Sequence, residues 1–195
     1  VIGYLRDNLT HTFTAIAGGL YYGIQSSFFE IGFTLIAVLI WYQLGKNSER
    51  AIGIGIGAGS FEAVILGLSS LASTIPYMLG IDVGVELSSL LETTAETTPL
   101  FWLVPAVERI LAILCHVASR ALVILGVTKK RYLLVFWGFL LFTLLDGVAA
   151  GFHVYGMVGE ISTWWIELTL LPFALISIPV IIWCHRRWRE GAAAE

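Results

Sequence analysis

The sequence predicts an all-α membrane protein, a polytopic helix bundle with five transmembrane helices that forms a single transmembrane domain over residues 1–195. The composition is the first observation behind this prediction, since 57% of the residues are hydrophobic and only 13% are charged, against about 25% charged residues in soluble domains. The second is that five segments reach the ~20 apolar residues that a helix needs to cross a bilayer. The third is that basic residues gather in alternate loops. We therefore expect the lipid bilayer as the first partner and no nucleic acid.

The five apolar segments lie near residues 17–44, 51–79, 101–126, 132–155 and 163–184. The glycines from Gly53 to Gly59 are similar to a nucleotide-binding loop only superficially, because they lie inside the second span, where small residues let helices pack closely. Cys115 and Cys184 fall on different spans, which argues against a disulfide and against a cysteine-based metal site. The chain begins at Val1 without an initiator methionine, so we expect additional spans upstream.

The charges of the connecting segments predict the orientation. Eight of the eleven Lys and Arg residues lie on one side of the predicted spans, namely Lys46, Arg50, Lys129, Lys130, Arg131, Arg186, Arg187 and Arg189. The outer loop 80–100 carries only acidic charges, at Asp82, Glu86, Glu92 and Glu96. By the positive-inside rule we expect an integral protein of the cell membrane, with its visible N-terminus outside and its C-terminus in the cytoplasm. The acidic loop then forms either an irregular solvated connection or a short surface helix, and the sequon at Asn8 lies on the side where glycans are attached.

Nine ionisable residues lie within the predicted spans, where an acid or base costs about 2.5–3.5 kcal/mol at the centre of a span. They are Glu30, Glu62, Glu108, Arg109, His116, Arg120, Asp146, His153 and Glu167. At 1.5 Å per residue, Glu62 and His116 lie roughly 17 Å from the basic side, and Glu30 and Asp146 roughly 22–24 Å. We therefore expect four side chains from four helices in one layer near the bilayer midplane. His153 follows Asp146 by two turns and lies on the same face, further out.

A layer of carboxylates and an imidazole suits three kinds of chemistry. It can hold a divalent metal, activate a water molecule by general-base catalysis, or relay protons or ions. Glu62, His116 and Asp146 are therefore the candidate catalytic residues, and Glu30 and His153 are further candidates.

The third span carries a polar stripe at i, i+4 spacing, through Glu108, His116 and Arg120, so this helix should face a site or a partner rather than lipid. Several of its residues have simpler explanations. Adjacent Glu108 and Arg109 point about 100° apart, and we expect each to form a structural ion pair with another helix. Arg120 lies close enough to the cytoplasmic side to extend its guanidinium to the headgroups. Glu167 lies near the outer end of the last span and needs no chemical role.

The order of these residues resembles the CAAX-protease and bacteriocin-processing (CPBP) superfamily of intramembrane peptidases, and specifically its YhfC-type branch, over about residues 15–184. Residues 28–33 (FFEIGF) are similar to the branch's Phe-Glu-Glu-Ile-Gly-Arg motif, and residues 57–63 (GAGSFEA) to its Gly-His-Gly-Gly-x-Glu-Ala motif. Residues 108–116 (ERILAILCH) keep Glu-Arg-x-x-Ala-x-x-x-His, and residues 142–146 (FTLLD) are similar to His-x-x-x-Asp. The resemblance implies an intramembrane peptidase fold in which a glutamate activates water and histidines bind that water or a metal.

Four motif positions are apolar in this chain. Phe29 stands at the first glutamate of the paired carboxylates, Phe33 at the arginine, and Ala58 and Phe142 at two of the three histidines. Set against the resemblance, these substitutions predict a member with degenerate catalytic motifs.

Three functions are compatible with these patterns. We favour a catalytically degenerate member that acts as a scaffold or binding subunit for other membrane proteins, similar to the scaffold subunit of γ-secretase, which the resemblance places in the same superfamily. The first alternative is an active glutamic or metal-type peptidase with a site rearranged around Glu62, His116 and Asp146, and a divalent metal is an expected cofactor only in that case. The second alternative is a proton or ion transport component.

Overall fold

The computed structural model describes residues 10–82, 84–156 and 162–192, and over these residues it is helical with no strand. The helices are α1 His11–Ile40, α2 Ser48–Met78, α3 Val85–Thr97, α4 Val104–Thr128, α5 Tyr132–Gly156 and α6 Trp164–Ala192, with short 3₁₀ turns at Tyr42–Gly45 and Phe101–Leu103. All but α3 are long and apolar enough to cross a membrane, which confirms the predicted fold class and the five spans. The short helix α3 lies in the acidic loop. The sequon at Asn8 lies outside the described residues.

Helix α4 is the centre of the bundle. In its most apolar stretch of 18 residues, 78% of the residues are buried, against 17–28% in the corresponding stretches of the other four spans. The buried stretch runs without interruption from Cys115 to Val127, and α1, α2, α5 and α6 all pack against α4. A helix that is buried on every side must find partners for its polar groups inside the protein, because neither water nor headgroups reach them.

Glycines bring α1 close to α5 and α2 close to α4. A Cβ on Gly19 or Gly23 would collide with the backbone of α5. On α2, Gly55 and Gly59 face α4 in the same way, with Gly59 beside His116, whereas the intervening Gly57 meets nothing within 4 Å. Small residues permit close helix approach in membranes, and here they fix the rotation of α2 that turns Glu62 toward α4.

A cleft separates α1 from α2. Both helices pack against α4, but they make little contact with each other. The cleft contains a cavity of about 290 Å³ that is lined by Glu30, Phe33, Ala58 and Arg120, among others. Glu30 therefore faces an opening between α1 and α2.

Candidate functional site

His116 and Arg120 form the buried floor of the site, one turn apart on α4. Their side chains are only 2% and 3% exposed. Arg120 Nη1 lies 2.9 Å from His116 Nδ1. A guanidinium can only donate hydrogen bonds, so Nδ1 is the acceptor and the proton of a neutral His116 ring is on Nε2.

Glu30 from α1 and Glu62 from α2 meet this floor from opposite sides. Glu30 Oε2 accepts from Arg120 Nη2 at 3.0 Å and lies 3.7 Å from His116 Nδ1. Glu62 Oε2 lies 2.8 Å from His116 Nε2, the ring nitrogen that carries the proton. One oxygen of each carboxylate and one ring nitrogen lie within 4.8 Å of one another. Both glutamates are about one-third exposed (32% and 33%), and Glu30 lines the cleft.

Arg109 connects this cluster to the N-terminal part of α4. Its Nη1 donates to Glu62 Oε1 at 2.7 Å, and its Nη2 donates to Glu108 Oε1 at 2.5 Å. Arg109 thus forms the expected ion pair with another helix, through Glu62 on α2, whereas Glu108 pairs with its sequence neighbour and the expectation for it was wrong. The two side chains converge because the long arginine side chain can span the angle between adjacent helical positions.

Asp146 on α5 joins the cluster through Ser26 on α1. The Ser26 hydroxyl lies 3.1 Å from Glu30 Oε1 and is also in hydrogen-bond contact with Asp146 Oδ2. A hydroxyl has one proton, so it can donate to one carboxylate and accept only from a protonated form of the other. Asp146 therefore contacts the Glu30–Glu62–His116 group through the Ser26 hydroxyl and does not belong to that group.

Phe142 closes the α5 side of the site. It is fully buried and stands edge-on to the His116 ring, with centroids 4.8 Å apart. The Arg120 guanidinium lies 5.3 Å from the centre of the Phe142 ring. The position that the resemblance assigns to a histidine thus lies directly against His116 and supplies an aromatic face there instead of a nitrogen.

The structure also locates three other polar residues that the sequence singled out. Arg120 does not extend to the headgroups, and that expectation was wrong, because Glu30 and His116 offer it acceptors inside the bundle. His153 is exposed, and no described contact joins it to the cluster. Glu167 is buried, 5% exposed, with one oxygen that lacks a hydrogen-bond partner. Sequence reasoning did not identify Ser26, although its position four residues before Glu30 places both on one face of α1.

The donor set has the right chemistry for a divalent metal, since carboxylates and imidazoles are zinc ligands. The arrangement of those donors does not fit a resident metal. His116 Nδ1 accepts from Arg120, so Nε2 holds the ring proton, and Glu30 Oε2 is also bound by Arg120. Arg120 thus occupies one imidazole nitrogen and one carboxylate oxygen of the three-residue donor set, and a metal held by these residues would have to compete with it for both.

The fold and the site together define an integral membrane helix bundle with a carboxylate–histidine–arginine cluster inside its spans. The family model described as YhfC intramembrane metalloprotease matches residues 5–170, and the chain belongs to this family. The match confirms the resemblance to the YhfC-type branch. No curated protein and no solved structure matches the chain.

Proposed function

We propose that this chain is a non-catalytic member of the YhfC family that serves as a scaffold or binding subunit for another membrane protein. The observation that carries the proposal is the Arg120 guanidinium, which bridges Glu30 Oε2 and His116 Nδ1 at 3.0 and 2.9 Å. It supplies internally the positive charge that a metal would otherwise bring to the same two donors.

The burial of Arg120 makes this arrangement hard to displace. For a metal to enter, the guanidinium would have to leave two acceptors from a position only 3% exposed. Separating a buried charge from its partner costs about 3–5 kcal/mol. A metal that displaced the guanidinium would have to offset a cost at the lower end of this range, about 3 kcal/mol, because Glu30 is 32% exposed.

The apolar residues at the motif positions support the same function. Phe142 packs against His116, and Ala58 lines the cleft beside Glu30 and Arg120. Phe29 is 51% exposed, so the position expected to hold a general base is an apolar surface. These three residues offer no nitrogen or carboxylate to the cluster, which leaves one imidazole and two glutamates largely bonded to arginine.

An active peptidase with a rearranged site is the second candidate, and one observation favours it. The donor atoms of Glu30, Glu62 and His116 lie within 4.8 Å of one another, close enough for a shared water molecule. In that case Glu62 would act as the base through Oε2, because Arg109 bonds to its other oxygen and Oε2 faces His116.

Purified protein in lipid nanodiscs distinguishes the two candidates. We expect no stoichiometric zinc, manganese or cobalt in the wild type and no cleavage of transmembrane peptides. The matched control is Glu62→Gln, which should behave identically in both assays. Cleavage by the wild type that disappears in Glu62→Gln would establish the peptidase and reject the scaffold.

A photo-crosslinking amino acid tests the binding role directly. At Phe33, which is 65% exposed and lines the cleft, we expect a protein adduct of one defined mass in intact cells. At Leu175, which is 57% exposed on α6, we expect lipid adducts only. Equal protein labelling at both positions, or none at Phe33, would contradict a partner in the cleft.

A further inference from the structure

A second cavity lies at the basic end of the bundle, where the α4–α5 turn meets the end of α6. It has a volume of about 290 Å³. Lys129, Arg131 and Arg187 line it together with the apolar side chains of Leu134 and Trp183. The cavity therefore combines a cationic part with an apolar part.

The positive charge of this cavity is only partly neutralised within the chain. Arg187 pairs with Glu190 at 3.1 Å and stacks over Trp183. Lys129 and Arg131 form no ion pair with any residue that the structure describes. Three cations against one carboxylate leave an excess of about two positive charges around one small cavity.

The lysine and arginine side chains are not needed to complete the end of α4. The backbone N–H groups of Lys129, Lys130 and Arg131 already donate to the last carbonyls of the helix, at 2.9, 3.1 and 2.7 Å. These bonds satisfy carbonyls that basic side chains often cap. The side chains of Lys129 and Arg131 are therefore available to an external anion, whereas Lys130 does not line the cavity.

The position of the cavity along the spans indicates what kind of anion it meets. The apolar part of α4 ends at Thr128 and that of α5 begins at Tyr132, so Lys129 and Arg131 lie just outside two spans, and Arg187 lies in the last turns of the third, α6. Trp183 is of the residue type that concentrates at membrane interfaces. A phosphate at this level meets the cations, and acyl chains attached to it would continue along the apolar wall, which a free phosphate cannot use.

We propose that this cavity binds the headgroup phosphate of an anionic phospholipid, held by Lys129, Arg131 and Arg187. The site is separate from the Glu30–Glu62–His116 cluster, and the proposal does not depend on the function proposed above. The lipid would fasten the α4–α5 turn to α6 at one membrane surface.

Native mass spectrometry of the purified chain, titrated with phosphatidylglycerol or phosphatidylcholine, tests this site. The test variant is Lys129→Gln/Arg131→Gln, and the control Lys130→Gln/Arg186→Gln removes the same charge from positions that do not line the cavity. We expect the wild type and the control to bind one phosphatidylglycerol alike and the test variant to bind it about 30-fold more weakly, as two lost cations predict. Phosphatidylcholine should bind weakly to all three.

Three results would overturn the proposal. Equal weakening in the control would show diffuse attraction to basic residues, and equal binding of both lipids would remove the anionic preference. Displacement of phosphatidylglycerol by millimolar inorganic phosphate would identify a site for a soluble anion. If the double variant fails to fold, Arg187→Gln tests the same site from α6 and should also weaken phosphatidylglycerol binding.

Discussion

Replacing Arg120 by leucine separates the two candidate functions most clearly. The substitution removes donors from Glu30 and His116 while it keeps an apolar side chain in the middle of the bundle. Removing one partner of a buried ion pair costs about 3–5 kcal/mol. Because Glu30 is 32% exposed to the cleft, we expect the lower end, a loss of about 3 kcal/mol in the free energy of unfolding, measured by denaturant titration in mixed micelles.

A second substitution tests whether this loss comes from the unpaired carboxylate. In Arg120→Leu/Glu30→Leu both partners are apolar, and replacing both is far less costly than removing one. We therefore expect the double variant to recover about 2 kcal/mol of the loss. A double variant no more stable than the single one would show that Arg120 matters for packing rather than for charge.

The single variant Arg120→Leu also tests whether the site can bind a metal once the guanidinium is removed. Without the guanidinium, two carboxylates and one imidazole lie within 4.8 Å with no internal cation. Zinc at 100 times its dissociation constant should then stabilise Arg120→Leu by about 2.7 kcal/mol and leave the wild type unchanged. Arg120→Lys, which keeps the charge, should resemble the wild type. Equal zinc stabilisation of wild type and Arg120→Leu would refute the reasoning that arginine holds the place of a metal.

Three further predictions concern the packing and the motif positions. Gly23→Val should destabilise the protein by more than 3 kcal/mol or prevent folding, because the valine side chain would collide with the α5 backbone. Its control, Gly32→Ala, places a Cβ where nothing lies within 4 Å and should have little effect in the same unfolding titration. Phe142→His should take up no zinc alone by elemental analysis, since Arg120 still bonds to His116, but should raise zinc affinity when combined with Arg120→Leu. Glu62→Gln should cost about 1–2 kcal/mol of unfolding free energy, because a charge-assisted bond to arginine becomes a neutral one; no change would show that this ion pair contributes nothing.

The fold class followed from the sequence because membrane helices are specified by local composition. Apolar length alone gave five spans, and the polar stripe through Glu108, His116 and Arg120 indicated a helix that faces protein. The depth estimate also predicted one layer of Glu30, Glu62, His116 and Asp146. The structure brings the first three together and leaves Asp146 in contact with Glu30 only through Ser26. Because an α-helix rises by a constant 1.5 Å per residue, the depth of a side chain can be counted directly from the sequence.

The partners of Arg120 could not be predicted from the sequence in the same way. Depth along a helix says nothing about its rotation, and the rotation of α1 decides whether Glu30 faces α4 or lipid. Glycine contacts between α1 and α5 set that rotation, and they involve residues more than 100 positions apart. Snorkelling to the headgroups was the reasonable expectation for Arg120 without that information.

The balance of donors and acceptors in the cluster narrows where any chemistry could occur. Arg109 and Arg120 each bond to two acceptors, and together they serve Glu30, Glu62, Glu108 and His116. Activating water requires a base whose lone pair is not already committed. Glu62 Oε2 is bound by neither arginine, but it lies 2.8 Å from His116 Nε2, which must hold its proton as long as Arg120 bonds to Nδ1. The base and the guanidinium are therefore linked through one imidazole, so loss of Arg120 should alter the site at Glu62 although the two side chains are not bonded to each other.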